Sequence, residues 1–198
     1  MPECDACGEA NPEVARFCLA CGAALSADEP RKTRKTVTVL FADMVDSTSL
    51  GEALDPETVQ DVKSQYFDAI KDALDRHDGT VEKFIGDAVM AVFGIPVAHE
   101  DDALRAVRAA ADAREALEVA NRSLERELGL RVATRIGVAT GPVVAGNPSG
   151  GQSFATGDAV NVAARLEECA RAGEVLIDEQ TFRLIEGAAR VEPLGRSN

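Results

Sequence analysis

The chain has 198 residues, of which 45% are apolar and 28% are charged, so it can form one mid-sized core with a small appended module but not two full domains. Its 21 basic and 34 acidic residues give a formal charge of −13, which disfavours a binder of nucleic acid or anionic membranes, because both need a basic surface. No apolar run approaches the roughly 20 residues that span a bilayer, and the first residues lack a signal-peptide pattern. We therefore expect a cytoplasmic protein with no nucleic-acid or membrane partner.

Residues 1–25 contain four of the five cysteines. Cys4, Cys7, Cys18 and Cys21 form the pattern C-x2-C-x10-C-x2-C, and a glycine follows each pair. Two such pairs can converge on one tetrahedral zinc ion, and glycine permits the tight turns; the alternative is four unrelated thiols. The segment resembles bacterial zinc-ribbon modules. This implies one structural Zn²⁺ per chain, since four sulfur ligands leave no open position for catalysis, and a protein partner for the ribbon that the sequence does not identify.

Residues 26–35 are predicted to form a linker, because SADEPRKTRK has no large apolar residue and is basic near its end. Such a run can contact nucleic acid, although a short charged segment is more often solvated. An α/β domain is expected over residues 36–198.

The first half of this domain is predicted to contain two helices and three strands. A buried strand is expected at 36–41, followed by a helix that Asp55 caps and that runs to Gly79. Two short strands should flank Gly86-Asp87, with glycine first in a type II′ turn. A long alanine-rich helix should then end at Gly129, having begun near residue 101.

The second half is predicted to alternate strands and helices. The expected elements are a hairpin around Gly141-Pro142, a helix over 158–170, a strand at 174–177, a helix ending near 187 and a strand at 190–194. We therefore expect an α+β fold, with a mixed, mostly antiparallel sheet and helices packed on one face.

Two aspartates are candidate metal ligands. Asp43 follows the first predicted strand, and Asp87 lies in the turn of the next hairpin. If these elements are neighbours in the sheet, the two carboxylates can share hard divalent cations at one edge. Spacing alone leaves another interpretation open, in which Asp43 caps a helix and Asp87 is an ordinary turn residue.

Four motifs occur in a fixed order along the domain: FADMVDST at 41–48, VEKFIGDAVMAVFG at 81–94, RIGVATGPVVAGN at 135–147 and GDAVNVAARLE at 157–167. Together they resemble the catalytic domain of class III nucleotidyl cyclases, the adenylyl and guanylyl cyclases. The resemblance implies that the ribose 3′-hydroxyl attacks the α-phosphate and expels pyrophosphate, with two Mg²⁺ or Mn²⁺ ions per site. It also implies a homodimer, because in the family each active site lies between two such domains.

The same resemblance assigns the metal and base-reading residues. Asp43 and Asp87 match the metal-binding carboxylates, and the backbone carbonyl of Met44 matches a further ligand. Lys83 matches the position that reads the purine. A lysine donates to N1 of adenine, whereas a glutamate would accept from guanine, so ATP is favoured as substrate and cyclic AMP as product. Without the resemblance, a lysine in a strand is more often a solvated edge residue.

A third set of residues is assigned to the sugar and the phosphates. Asn161 and Arg165 are four residues apart and share one face of the predicted helix. They match the family's pair that positions the ribose and stabilises charge at the α-phosphate; without the neighbouring motif, this spacing favours an ordinary surface pair. Ser47 and Thr48 match positions that cradle the β- and γ-phosphates, and Arg135 is expected to face the triphosphate.

Two features depart from the family pattern. Phe154 stands where adenylyl cyclases place an Asp or Thr that accepts from the adenine amine, so it is expected to line the purine pocket and to leave base selection to Lys83. The sequence also ends at Asn198, before the strand that carries a triphosphate-binding lysine in the family. We therefore expect a shortened domain of reduced activity.

Other functions fit the sequence less well. A P-loop NTPase is excluded, because GPVVAGNP has asparagine where that motif requires lysine. The acidic charge and the scarcity of aromatic residues argue against a ribbon that reads nucleic acid. A weak or inactive cyclase-like domain for dimerisation or nucleotide sensing is the main alternative. A pure binding module would not need the full set of Asp43, Asp87, Lys83, Asn161 and Arg165.

Overall fold

The structure is a computed structural model and describes residues 3–4, 6–12, 15, 17–23, 25, 33–45, 47, 50–51, 54–145 and 155–194. Two compact units divide the chain, residues 1–33 and residues 34–198. None of the helices in these described ranges is both long and apolar enough to cross a membrane.

Two similar turns lie within the described part of the N-terminal unit. In each turn, a glycine amide donates to the carbonyl of the cysteine four residues earlier, from Gly8 to Cys4 at 2.7 Å and from Gly22 to Cys18 at 2.9 Å. The two glycines have φ values of 75° and 73°, in the left-handed region that other residues rarely adopt. The predicted need for glycine after each cysteine pair is therefore confirmed.

The second unit contains a sheet with four main helices. Its elements in chain order are β1 (Thr33–Val45), α1 (Pro56–Arg76), β2 (Thr80–Ile85), β3 (Ala88–Phe93), α2 (Asp102–Leu128), β4 (Ala133–Ala145), β5 (Ala155–Thr156), α3 (Asp158–Cys169), β6 (Val175–Ile177) and α4 (Glu179–Leu184). The strand order is β2-β3-β1-β4-β5, and β6 pairs with β4. Strand β3 pairs with β1 and β2 in the antiparallel direction, and so does β4 with β5, whereas β6 is parallel to β4. The predicted mixed, mostly antiparallel sheet is confirmed.

The predicted Asp55 cap and the predicted turns at Gly129 and Gly86 are confirmed, whereas α1 ends at Arg76 and not at Gly79. The Asp55 side chain caps α1 by accepting a hydrogen bond from the Thr58 amide at 3.0 Å, which satisfies one of the free amides of the first turn. Helix α2 ends at Gly129, whose φ of 67° is left-handed. The Gly86 φ of 62° between β2 and β3 suits the first position of a type II′ turn.

Helices pack on both faces of the sheet, so the expectation of a single covered face is wrong. Leu40 and Ala42 of β1 belong to the core formed with α1 and α2. Val39 and Phe41 belong to a second core, formed with α3. Successive side chains of a strand point to opposite faces, and the apolar run at 36–41 is therefore buried on both sides.

Two further expectations about the strands are wrong. Gly141-Pro142 lies inside the continuous strand β4 and not in a hairpin turn. A Gly-Pro pair commonly marks a turn, but a methyl group at Gly141 would lie 3.3 Å from Cβ of Ala159 on α3, so this glycine permits close helix packing. Residues 190–194 form no strand. Alternating apolar residues favour an extended chain, but a strand also needs a neighbour to pair with, and the alternation alone does not predict one. The structure also places residues 33–35, the end of the predicted linker, in β1.

Candidate nucleotide and metal site

Strand β1 and the β2–β3 turn bring the two candidate metal ligands to one edge of the sheet. Asp43 lies opposite Ala88 in the antiparallel β1–β3 pair, and Asp87 immediately precedes Ala88. Directly opposed residues have Cα atoms about 5 Å apart. The sequence left open whether these aspartates meet, and the register of β1 on β3 makes them neighbours.

Asp43 is paired with Arg135 of β4. The guanidinium donates to Oδ2 of Asp43 from Nη2 at 2.7 Å and from Nε at 3.2 Å, and Nε lies 2.5 Å from Oε1 of Glu167 on α3. The hydrogen bonds to Asp43 raise the pKa of Arg135 above its usual value. Burial raises the pKa of Glu167 despite the arginine beside it. Arg135, which the resemblance assigns to the triphosphate, thus bridges two carboxylates.

Asp87 is paired with Lys63 of α1. The ammonium Nζ lies 2.6 Å from Oδ1 of the carboxylate. This lysine, and after it the Ser47 hydroxyl, holds the pKa of Asp87 below its usual range by hydrogen bonding. Ser47 is therefore placed beside Asp87, at the position that the resemblance assigns to the phosphates. The sequence analysis missed Lys63. Helical periodicity places this residue next to the buried stripe of α1, but periodicity does not show which carboxylate it meets.

The end of β1 is held by buried polar groups. The Thr134 hydroxyl donates to the backbone carbonyl of Asp43 at 3.0 Å and is 3.2 Å from the Tyr66 hydroxyl of α1. Burial raises the pKa of Tyr66 well above its usual value, so its hydroxyl stays protonated. The Met44 side chain is buried in the core with α1 and α2. Only the backbone of Met44 is left to offer a polar ligand.

Lys83 lies on the same face of the sheet as Asp43. It is directly opposite Met90, which is opposite Phe41 in the next strand. Opposed residues share a face, and Phe41 and Asp43 are two apart in β1. Lys83 therefore lies two strands, about 10 Å, from β1. Thr48 and Phe154, also assigned to the site, lie outside the described residues.

Asn161 and Arg165 lie on α3 and are both exposed. Ala159 and Ala163, two residues before each, are buried in the core beneath α3. Two residues correspond to about 200° around a helix, so Asn161 and Arg165 face away from the sheet. Asp43 lies on the sheet face that α3 covers, so the outward pair is turned away from the carboxylates of its own chain.

Gly137 fixes how closely α3 approaches β4. A Cβ atom at Gly137 would lie 2.1 Å from the carbonyl oxygen of Ala163 and 2.4 Å from the amide nitrogen of Glu167. Backbone therefore lies directly on backbone here, which only glycine permits. Because α3 lies this close to β4, the Glu167 carboxylate reaches the guanidinium of Arg135, which is two residues before Gly137.

The four N-terminal thiols form a second candidate site. Their Sγ atoms all lie within 4.8 Å of one another, with Cys4 to Cys21 at 3.6 Å and Cys7 to Cys18 at 3.5 Å. Tetrahedral zinc with 2.3 Å bonds separates its sulfur ligands by about 3.8 Å. The donor set is therefore compatible with a zinc ribbon.

Hydrogen bonds organise this cysteine cluster. Backbone hydrogen bonding, first from Cys21, lowers the pKa of Cys18 to about 6, which favours the metal-binding thiolate. Asn11 is buried; its amide donates to the Glu9 carbonyl at 2.7 Å and its side-chain oxygen accepts from the Leu19 amide at 2.9 Å. Asn11 thus joins the two cysteine turns. The sequence analysis missed it, because an asparagine between cysteine pairs is also common in loops.

A family model described as the adenylate and guanylate cyclase catalytic domain matches residues 29–197. The chain belongs to this family. It is 41% identical over 138 residues to Adenylate cyclase 1 of Rhizobium meliloti (strain 1021), which covers 68% of this chain and 21% of that protein. The cyclase chain thus spans about a fifth of the length of that relative.

Solved cyclases have the same fold as this domain. The adenylyl cyclase CyaB from P. aeruginosa is 32% identical with a TM-score of 0.73, over 78% of this chain and 82% of its own. The guanylyl cyclase Cya2 is 32% identical with a TM-score of 0.74, over 84% of this chain and 89% of its own. The predicted cyclase fold and family are confirmed. Similar structures with both activities do not decide between the two bases.

Proposed function

We propose that this cyclase domain converts ATP to cyclic AMP and pyrophosphate at a two-metal site shared by a homodimer. The observation that carries the proposal is the β1–β3 register, which makes Asp43 and Asp87 neighbours. Two adjacent carboxylates and the Met44 carbonyl are hard oxygen donors that fit Mg²⁺ or Mn²⁺. When bound, these ions lower the pKa of the ribose 3′-hydroxyl and orient the triphosphate for in-line attack.

The chain's own polar residues receive the triphosphate. A protein of charge −13 repels an anionic substrate at long range, so capture depends on local groups. Ser47, which hydrogen-bonds Asp87, and Thr48 bind the β- and γ-phosphates through their hydroxyls and nearby amides. Arg135 turns from Asp43 toward the phosphates while Glu167 continues to hold its Nε.

Lys83 selects the base. Its ammonium has three donors and no acceptor, which matches the N1 acceptor of adenine and opposes the N1–H of guanine. The 41% identity to a relative named adenylate cyclase supports the same choice. Phe154 carries no polar group that could contact the base, and the preference for ATP over GTP is therefore weaker than in an enzyme with two polar contacts to the base.

The second protomer supplies Asn161 and Arg165. Both residues face away from the sheet of their own chain, so a partner domain must present its pair to the carboxylates. An apolar surface for such a partner lies at the end of β2, where the Phe84 and Ile85 side chains are 53% and 49% exposed just before the turn that carries Asp87. In the shared site Asn161 orients the ribose and Arg165 stabilises charge on the α-phosphate.

The test is turnover by the purified chain with Mn²⁺ and either ATP or GTP. We expect cyclic AMP and pyrophosphate in equal amounts. Asp43→Ala and Asp87→Ala should each lower the rate by about 100-fold or more, whereas Asp75→Ala should not, since Asp75 pairs only with Lys71 on the surface of α1 among the described residues. Nucleotide binding without any cyclic product would instead favour the sensing module, and equal rates in all variants would reject the metal assignment.

A further inference from the structure

The geometry points to Lys63 as a built-in counter-ion that competes with the divalent cation for Asp87 and so sets the metal affinity of the site. This inference rests on the proposed function, because it takes Asp87 as a metal ligand. The Nζ–Oδ1 distance of 2.6 Å is that of a direct ion pair, and the two side chains are only 33% and 24% exposed. The pair is therefore screened by water less than a fully exposed one.

The core fixes the part of the α1 backbone that places Lys63 beside Asp87. It lies within α1 next to Val62, and Tyr66 follows three residues later; both of these side chains are 1% exposed in the core. The helix cannot shift without disturbing that core. The ammonium is therefore held at the carboxylate by the fold, and not by chance contact of a free surface side chain.

The two metal-binding carboxylates differ in what a cation would displace. Arg135 contacts both Asp43 and Glu167, so it keeps an anionic partner when Asp43 turns to a metal ion. The ion pair that the structure describes for Lys63 is with Asp87. A cation that binds Asp87 must therefore displace this ammonium or share the carboxylate with it, and in both cases it lies beside a positive charge that repels it.

This competition predicts weak metal binding in the absence of nucleotide. A neutral residue at position 63 removes both the pairing and the repulsion. A partly exposed ion pair affects binding by roughly two- to fivefold, so Lys63→Gln should lower the Kd for Mn²⁺ by that factor. Lys63→Arg keeps the charge and should retain a Kd close to that of the unmodified chain.

The experiment is a titration of the full zinc-loaded chain with Mn²⁺ alone, in which electron paramagnetic resonance reports free Mn²⁺. Lys71→Gln is the matched control, since Lys71 is on the same helix and pairs with Asp75 at 2.5 Å; its Kd should not change. Lys63→Met, which keeps the aliphatic stem, is a second neutral variant, and circular dichroism identifies any variant that does not fold.

Asp87→Asn separates failure of the inference from failure of the proposed function. If no Mn²⁺ binding is lost in Asp87→Asn, the carboxylate is not a ligand and the proposed metal site is wrong. If Asp87→Asn removes Mn²⁺ binding but the folded neutral variants at position 63 bind Mn²⁺ no more tightly than the unmodified chain, Lys63 is not a competitor and the inference is overturned.

Discussion

Arg135 donates two hydrogen bonds to a single oxygen of Asp43, Oδ2, from Nη2 at 2.7 Å and from Nε at 3.2 Å. Its Nε is also 2.5 Å from Oε1 of the buried Glu167. One guanidinium therefore joins the end of β1 to helix α3 through two carboxylates. The stability of this contact depends on how these groups share charge, and under the proposed function so does metal binding at Asp43.

The first prediction concerns the pH dependence of stability. Burial raises the pKa of Glu167 in the folded chain, so the folded state holds this proton to a higher pH than the unfolded state. The contribution of Glu167 to stability is then present below its unfolded pKa, about 4.3, and is lost as the pH rises through the folded pKa. The free energy of unfolding of Glu167→Gln should therefore rise relative to that of the unmodified chain as the pH increases above about 4.3.

Urea unfolding of the two proteins at several pH values measures this difference. Glu168→Gln is the control, because Glu168 is an exposed neighbour on α3 and should give no such trend. A Glu167→Gln difference that falls as the pH rises would mean that the ion pair with Arg135 outweighs the cost of burial.

The second prediction concerns Gly137. Its Cβ would lie 2.1 Å from one backbone atom of α3 and 2.4 Å from another, and backbone atoms cannot rotate away as side chains do. Gly137→Ala should lower the free energy of unfolding by about 3 kcal/mol or more. Gly51→Ala is the control, because no atom lies within 4 Å of the added methyl group. Similar denaturation midpoints for the two variants would refute the close helix–strand contact.

The third prediction concerns base selection by Lys83. Lys83→Glu replaces three donors by acceptors, so the ratio of ATP turnover to GTP turnover should fall by about 10-fold or more. We expect impaired ATP use and not a clean exchange of substrates, since Phe154 offers no polar group to guanine. The measurement is kcat/KM for both nucleotides, with Lys71→Glu as a charge-matched control on α1. An unchanged ratio would show that Lys83 does not read the base.

The fourth prediction tests the shared site. Asp43→Ala and Arg165→Ala homodimers should each be inactive, because every site lacks one part. In a mixed dimer one site receives both lesions, while the other combines an intact Asp43 with an intact Arg165. Random exchange gives about half mixed dimers with one good site of two, so activity should return to about a quarter of the unmodified level.

A mixture of Asp43→Ala with Asp87→Ala is the control for complementation. Both residues belong to the same side of the site, so no combination of these chains restores it, and the mixture should stay inactive. No recovery between freely exchanging Asp43→Ala and Arg165→Ala chains would place the whole site within one chain. Recovery in the control would instead mean that Asp43 and Asp87 of one site come from different chains.

The fifth prediction concerns the cysteine cluster. Elemental analysis should find about one zinc per chain, and Cys18→Ser combined with Cys21→Ser should abolish it, since two thiols cannot hold the ion tightly. Cys169→Ser should retain the metal, because Cys169 is a free, exposed thiol on α3. Zinc that persists in the double variant would show that another site binds it.

Patterns that depend on local chemistry could be predicted from the sequence. Asp55 as a helix cap, the glycine turns after the cysteines and the Gly86 turn were all predicted, because each follows from the backbone needs of a few residues. The hairpin predicted around Gly141-Pro142 was wrong. Gly141 is needed there for close packing against Ala159 of α3, and a contact between residues so far apart in sequence cannot be inferred from the local pattern. Lys63 was missed for the same reason, since its partner is known only once α1 has packed on the sheet.

The ion pairs at the sheet edge have an electrostatic consequence for turnover. The carboxylates of Asp43, Asp87 and Glu167 and the cations of Arg135 and Lys63 give this edge a formal charge of −1, although the whole chain carries −13. Two divalent ions would bring the edge to +3, and a fully ionised triphosphate, with about four negative charges, would return it to −1. The edge would then carry the same formal charge with metal and nucleotide bound as without them, so binding both together would leave its net charge unchanged.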